Sequence, residues 1–107
     1  MGGDIIVAEL LNGKTVFISE MTEMELLCKP NASKEDKKAI QILLEDCVII
    51  PFNQEIKHRA IKIRLSTRMK LIDSIVGASA VNVGLSIVTN DGDFTRLSNE
   101  IDIILIP

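Results

Sequence analysis

The sequence has few of the residues that usually build zinc sites, disulfide frameworks and aromatic binding surfaces. Its 107 residues include one histidine, two cysteines and three aromatic residues, all of them Phe. With His58 alone, a multi-histidine zinc site is excluded and a histidine-based nucleophilic triad is disfavoured. Cys28 and Cys47 form no Cys-x-x-Cys pair, and we interpret both as reduced packing residues.

Long hydrophobic runs are also missing. The longest, such as residues 47–52 and 101–107, have the length of strands and fall well short of the roughly 20 residues that a membrane-spanning helix needs. Asp4 and Glu9 interrupt the apolar start, so no secretory signal is predicted and we expect a cytoplasmic protein. The net charge of −3 gives no general attraction to nucleic acid, and any such attraction must be local.

Aliphatic residues dominate what is present, and they predict one α/β domain with a parallel sheet. Short apolar runs that read as buried strands alternate with helical patterns along the chain. Ser33 with Asp36 forms a capping box at one helix start, and Asn53 caps another. The predicted strands are residues 14–19, 47–51, 86–89 and 102–106, and the predicted helices include residues 4–12, 20–28 and 93–99.

Acidic residues in the stretch 69–94 suggest half of a metal site. Asp73 lies in the first turn of a small-residue helix, and Asp91 follows the strand SIVT. In an open parallel sheet these places are neighbours at the carboxyl edge of the strands, where ligands bind. Clustered carboxylates favour binding of a hard cation such as magnesium. An Asp in the first turn can also have a purely structural role, because its charge interacts favourably with the helix dipole. Asp93 is expected to cap the next short helix, and this structural role accounts for its presence. A structural role accounts less well for Asp91.

Glu25 and a basic segment before Asp73 have a functional interpretation only in combination with Asp73 and Asp91. Glu25 completes an acidic cluster if the helix after the strand at 14–19 begins at the same edge, although a lone helical Glu is usually only solvated. A basic segment precedes Asp73 and can hold phosphates near the metal, or can be an ordinary solvated face. Its members are Lys57, Arg59, Lys62, Arg64, Arg68 and Lys70.

Three segments together resemble the PIN domain family, and within it the VapC-type toxins of toxin–antitoxin pairs. They read ISEMTEMELL, MKLIDSIVGASA and LSIVTNDGDF, and the resemblance covers essentially the whole chain, 1–107, as a single domain. It implies an α/β/α fold, a magnesium- or manganese-dependent endoribonuclease acting on RNA, a homodimer, and a cognate antitoxin. It also implies metal ligation and catalysis by Glu25, Asp73 and Asp91, with Asp93 as an additional ligand. Arg59, Lys62, Arg64, Arg68 and Lys70 are then the RNA-binding residues.

The beginning of the chain departs from the family pattern. Members normally start with a central strand that ends in an Asp-Thr-Asn motif, whereas this sequence starts Met-Gly-Gly-Asp and leads directly into the predicted helix 4–12. We therefore expect an amino-terminally shortened domain without its central strand and without one acidic ligand. Its neighbouring strands must then close up or accept a strand from a partner chain, because unpaired buried backbone groups cost about 1–3 kcal/mol each.

Three functions remain open from the sequence. The first is a VapC-like ribonuclease that is impaired by loss of the first acidic ligand. The second is a non-catalytic remnant that dimerises or binds an antitoxin. The third is a phosphoacceptor or phosphatase-like domain, but this needs an acidic nucleophile after the first strand, and Ser19-Glu20 fits that poorly.

Overall fold

A computed structural model describes the backbone of residues 5–7 and the whole of residues 15–105. Helices follow strands along the chain, singly or in pairs, as in the predicted α/β class. The strands are β1 (Ile5–Val7), β2 (Val16–Ser19), β3 (Cys47–Ile50), β4 (Ser86–Thr89) and β5 (Ile103–Leu105). The helices are α1 (Glu20–Leu27), α2 (Lys34–Glu45), α3 (Gln54–Thr67), α4 (Leu71–Val83) and a 3₁₀ helix (Gly92–Leu97).

The five strands form one sheet in the order β3-β2-β1-β4-β5. β2 pairs with β3 and β4 pairs with β5, both in parallel, which confirms the predicted parallel arrangement for the outer pairs. β1 lies between the two pairs and runs antiparallel to both neighbours. The sheet is therefore mixed, and β1 is the element that joins its two parallel halves.

The start of the chain differs from the predicted helix over residues 4–12. Residues 5–7 are a strand, and the remaining positions of that predicted helix lie outside the described residues. No parallel central strand occurs in the described part of the chain, and β1 occupies the place between β2 and β4. Ile6 pairs with Phe17 on one side and with Ile87 on the other. β1 thereby gives backbone partners to Val16 and Phe17 of β2 and to residues 86–88 of β4.

Side-chain caps start three of the helices where the sequence predicts them. Ser19 accepts a hydrogen bond from the backbone N–H of Thr22 at the start of α1. Ser33 and Asp36 form the reciprocal capping box of α2, and Asn53 accepts from the first turn of α3. These bonds satisfy N–H groups that a helix leaves unpaired, so the helix starts are encoded locally.

The most deeply buried helix is α4, in which the seven consecutive residues 74–80 are buried. Their small side chains allow close approach, and Leu97 of the 3₁₀ helix lies directly against the backbone at Gly77. The buried hydroxyl of Ser79 donates to the Ile75 carbonyl at 2.8 Å, so burying it leaves no unpaired polar group. Among the described residues, no helix is long and apolar enough to cross a membrane.

The contact at Gly77 predicts that Gly77→Val lowers the free energy of unfolding by about 1–3 kcal/mol, because its branched side chain needs space that Leu97 already fills. Gly92→Ala is the matched control, since no atom lies within 4 Å of the position of an added Cβ at Gly92. Urea unfolding of both variants checks the prediction. A Gly77→Val protein as stable as the wild type would contradict the close approach.

Candidate active site

The candidate acids Asp73 and Asp91 lie on elements that pack against each other. Asp91 follows the carboxyl end of β4, and Asp73 lies in the first turn of α4. A two-residue connection joins the end of α4 to the start of β4, so α4 runs back along the sheet and its first turn lies towards the carboxyl edge. Asp73 is also one helical turn before Gly77, where the 3₁₀ helix rests. Asp73 thus belongs to the first turn of α4 and Asp91 to the segment that follows β4, and a metal site shared by the two stays a prediction.

The turn that carries Asp91 is held by two side-chain hydrogen bonds. The N–H of Asp91 donates to Thr89 Oγ1 at 3.0 Å, and Asp91 Oδ1 accepts from the N–H of Asp93 at 2.9 Å. Asp91 is thus the cap of the 3₁₀ helix. The expectation that Asp93 is this cap is wrong, because a side chain caps the N–H groups that follow it and the helix begins one residue earlier, at Gly92.

Asp73 occupies a tightly bonded helix start. The Lys70 side chain makes no capping bond, and the neighbouring Ser74 donates its hydroxyl to the Lys70 carbonyl at 2.9 Å. Asp73 itself is half-buried. A carboxylate in the first turn is favoured by the helix dipole, so this position stabilises the charged form of Asp73 that a cation requires.

Glu25 lies on α1 and is exposed. Another acid of α1, Glu20, directly follows β2. Its Oε1 accepts a hydrogen bond from the N–H of Phe52 at 2.9 Å. This bond ties the end of β2 to the segment that follows β3. Sequence reasoning did not single out Glu20, although its place directly after a strand was the available signal.

The described acids do not form a ready three-carboxylate site. In residues 15–105, no group of three or more His, Cys, Asp or Glu side chains is arranged to hold a metal ion. Magnesium commonly uses one or two protein carboxylates and completes its shell with water and substrate phosphate. Among residues 15–105, Glu25 and Asp93 are not gathered with Asp73 and Asp91 into a larger group.

The predicted RNA-binding residues have different surroundings. Arg64 Nη1 donates to the carbonyl of Met69 at 2.5 Å and to that of Arg68 at 3.3 Å, so this guanidinium closes the end of α3. Arg68 is the left-handed cap of that helix, with φ 61°. Arg59 and Lys62 line an open cavity of about 210 Å³ together with Glu55 and His58. Lys62, Arg68 and Lys70 are exposed.

The two cysteines are free thiols, as predicted, but Cys28 is exposed and does not pack in the core. Burial, followed by the charge of Asp46, raises the pKa of the Cys47 thiol. A thiol with a raised pKa stays protonated at neutral pH, which argues against a nucleophilic role for Cys47.

No curated protein matches the chain. A crystal structure of VapBC-5, a member of the VapBC family of toxin–antitoxin systems from Mycobacterium tuberculosis, has a similar fold with a TM-score of 0.66. The two are 20% identical, and the alignment covers 82% of this chain and 79% of that chain. The family model for the PIN domain matches residues 3–100, and the chain therefore belongs to the PIN domain family.

Proposed function

We propose that this PIN domain is a VapC-type endoribonuclease that uses a divalent metal ion, Mg²⁺ or Mn²⁺. The observation that carries the proposal is the packing of the 3₁₀ helix on α4, which brings the element of Asp91 against the element of Asp73. Asp73 and Asp91 are the principal ligands in this proposal. Glu25 is the third acid, and it must approach from the exposed surface of α1.

The bound ion would supply a polarised phosphate oxygen and an activated water for phosphodiester hydrolysis. Asp91 contributes a carboxylate whose orientation is fixed by its bond to the Asp93 N–H. Asp73 contributes a charge that the helix start stabilises. In this proposal the two residues hold the ion.

Exposed cations near the start of α4 are proposed to hold the RNA. Lys70 directly precedes α4, and Arg68 lies two residues before Lys70. Arg59 and Lys62 add positive charge along α3. Such contacts bind phosphates without reading sequence and weaken as salt rises. Arg64 also contributes charge, but one of its nitrogens is already bonded to carbonyl groups of the turn.

A binding role without catalysis is the second candidate function. It is favoured by the lack of a three-acid group among residues 15–105. In this role the chain keeps its partner surfaces and has lost the chemistry. Metal binding separates the two functions, because a non-catalytic remnant has no need to bind magnesium in a manner that depends on Asp91.

We propose the cleft between α1 and α2 as the antitoxin contact. The cleft has a volume of about 380 Å³ and is lined by Leu26, Leu27, Ala32 and Ile40, with Lys29 and Lys37 at its rim. Leu27 is 60% exposed and belongs to the apolar lining of this cleft. The lining suits a peptide that is apolar with acidic flanks, and the VapBC similarity makes an antitoxin segment the proposed occupant.

The outer face of α3 is proposed as the homodimer contact. Ile61 and Leu65 are four residues apart and therefore lie on one face of the helix. Their exposed fractions are 45% and 78%. Leu71, at the start of α4, is also more than half exposed. In a two-fold dimer the same surface of both copies forms the contact, and this apolar surface is proposed for that role.

The nuclease proposal predicts that Asp73→Asn and Asp91→Asn each lower RNA cleavage by about 100-fold or more, since a lost metal ligand removes several kcal/mol of charge stabilisation. Asn at position 91 retains an oxygen acceptor, so the cap of the 3₁₀ helix is kept. Asp102→Asn is the control, because Asp102 is exposed and lies before β5, at the opposite edge of the sheet. Cleavage is measured with magnesium or manganese.

Cleavage that is indifferent to both Asp73→Asn and Asp91→Asn would refute the assignment of these ligands. Glu25→Gln, measured in the same assay, tests whether the third acid takes part. If the wild type does not cleave RNA, a magnesium titration distinguishes an inactive nuclease from a non-catalytic binding protein. Binding of magnesium at millimolar concentration that is lost in Asp91→Asn would contradict the non-catalytic role.

The antitoxin proposal predicts that Leu27→Lys weakens binding to the purified cognate antitoxin by at least about tenfold, since a charge enters the apolar cleft. Leu105→Lys is the control, because Leu105 is similarly exposed but belongs to β5. Titration of the antitoxin measures both. Equal affinities of the two variants would exclude the cleft as the contact.

The dimer proposal predicts a dimeric wild type and a monomeric Leu65→Glu variant in light scattering coupled to size exclusion. Val83→Glu is the matched control, because Val83 is also an exposed apolar residue but lies at the end of α4. A wild type that is monomeric at all concentrations, or a Leu65→Glu protein that stays dimeric, would disprove this contact.

A further inference from the structure

We propose that Arg96 is a positioning residue that fixes the Asp91 turn relative to the start of α4. This inference rests on the nuclease function proposed above and adds a residue to it. Arg96 Nη1 donates to the carbonyl oxygen of Thr67 at 2.8 Å, although the two residues are 29 positions apart. Arg96 thereby connects the 3₁₀ helix to the turn between α3 and α4.

Within the 3₁₀ helix, Arg96 also contacts Asp93, which belongs to the turn that carries Asp91. Its Nη2 lies 4.0 Å from Asp93 Oδ1, and the N–H of Asp93 donates to Asp91 Oδ1. A guanidinium presents several donors in a fixed plane, so it can hold a carbonyl and a carboxylate at the same time. Movement of Asp93 is therefore coupled to the position of Asp91.

On the other side, Thr67 belongs to a turn with several internal bonds. Thr67 Oγ1 donates to the Ile63 carbonyl at 2.6 Å and accepts from the N–H of Met69 at 3.1 Å. Ser74 donates its hydroxyl to the carbonyl of Lys70, which closes the same turn onto the first turn of α4. The Thr67 carbonyl, which accepts the hydrogen bond from Arg96, is thus connected by these bonds to the first turn of α4, which carries Asp73.

Leu97 packs on Gly77 and Phe94 of the same 3₁₀ helix is fully buried, so core packing holds this helix against α4. Arg96 adds a polar contact at the surface, to the carbonyl at the end of α3. Because the Arg96 side chain is about half exposed, it adds little to overall stability, and its effect falls on the relative orientation of the two acids.

The test compares Arg96→Gln with Thr95→Val. Thr95 donates its hydroxyl to the Gly92 carbonyl at 2.7 Å, so the control removes one hydrogen bond inside the same 3₁₀ helix without touching the connection to Thr67. Magnesium affinity is measured by titration of the RNA-free protein. RNA cleavage is measured as separate kcat and KM values, and thermal unfolding confirms that both variants are folded.

We expect Arg96→Gln to weaken magnesium binding and to lower kcat by roughly tenfold each, with little change in KM, as is usual for residues that orient metal ligands. Arg96→Lys should recover part of both losses, and Thr95→Val should match the wild type. Arg96→Gln with unchanged magnesium affinity and a raised KM would overturn the inference, because Arg96 would then contact RNA directly. Equal behaviour of Arg96→Gln and Thr95→Val would also overturn it, whereas a wild type without magnesium binding or cleavage would refute the nuclease function itself.

Discussion

The close contact between α4 and the 3₁₀ helix is the constraint on which the candidate site depends. At Gly77 the helix has no side chain, and Leu97 fills the space. Phe94 of the same 3₁₀ helix is fully buried, so two side chains anchor that helix in the core. Packed interiors resist small displacements. The Asp91 turn is therefore located by core packing, even though the turn itself lies at the surface.

Backbone pairing imposes a second constraint, at the centre of the sheet. β2 and β4 each have an outer partner, and each also needs an inner one. The three-residue strand β1 meets this need for half of β2 and for most of β4, and it does so in the antiparallel direction. The centre of the sheet is thus occupied by a strand, as in the family pattern, but this strand runs antiparallel to its neighbours. The requirement to pair backbone groups is stronger than the requirement for a particular direction.

The sequence predicted local features well and long-range ones poorly. The caps at Ser19, Ser33 and Asn53 were predictable because a cap and its N–H partner lie within a few residues. The segment 4–12 has apolar residues at helical spacing, but residues 5–7 form a strand because they pair with β2 and β4, which a local pattern does not show. Arg96 was not identified for the same reason, since its carbonyl partner lies 29 residues earlier. The acids of the candidate site and their meeting at the carboxyl edge were predicted from the motif resemblance and from strand ends, and residues 15–105 contain no group of three such acids.

The three proposed acids differ in how well the fold prepares them for a metal ion. Asp91 is a short side chain whose Oδ1 already accepts a bond from its own turn, so the structure fixes its conformation before any ligand arrives. Asp73 is half-buried at a helix start that favours its charge. Glu25 is a longer, exposed side chain, and ordering such a side chain costs up to about 1.5–2 kcal/mol of conformational entropy. An ion that binds here therefore gains most from the two aspartates, and ligation by Glu25 adds affinity only if its interaction with the ion exceeds that entropic cost.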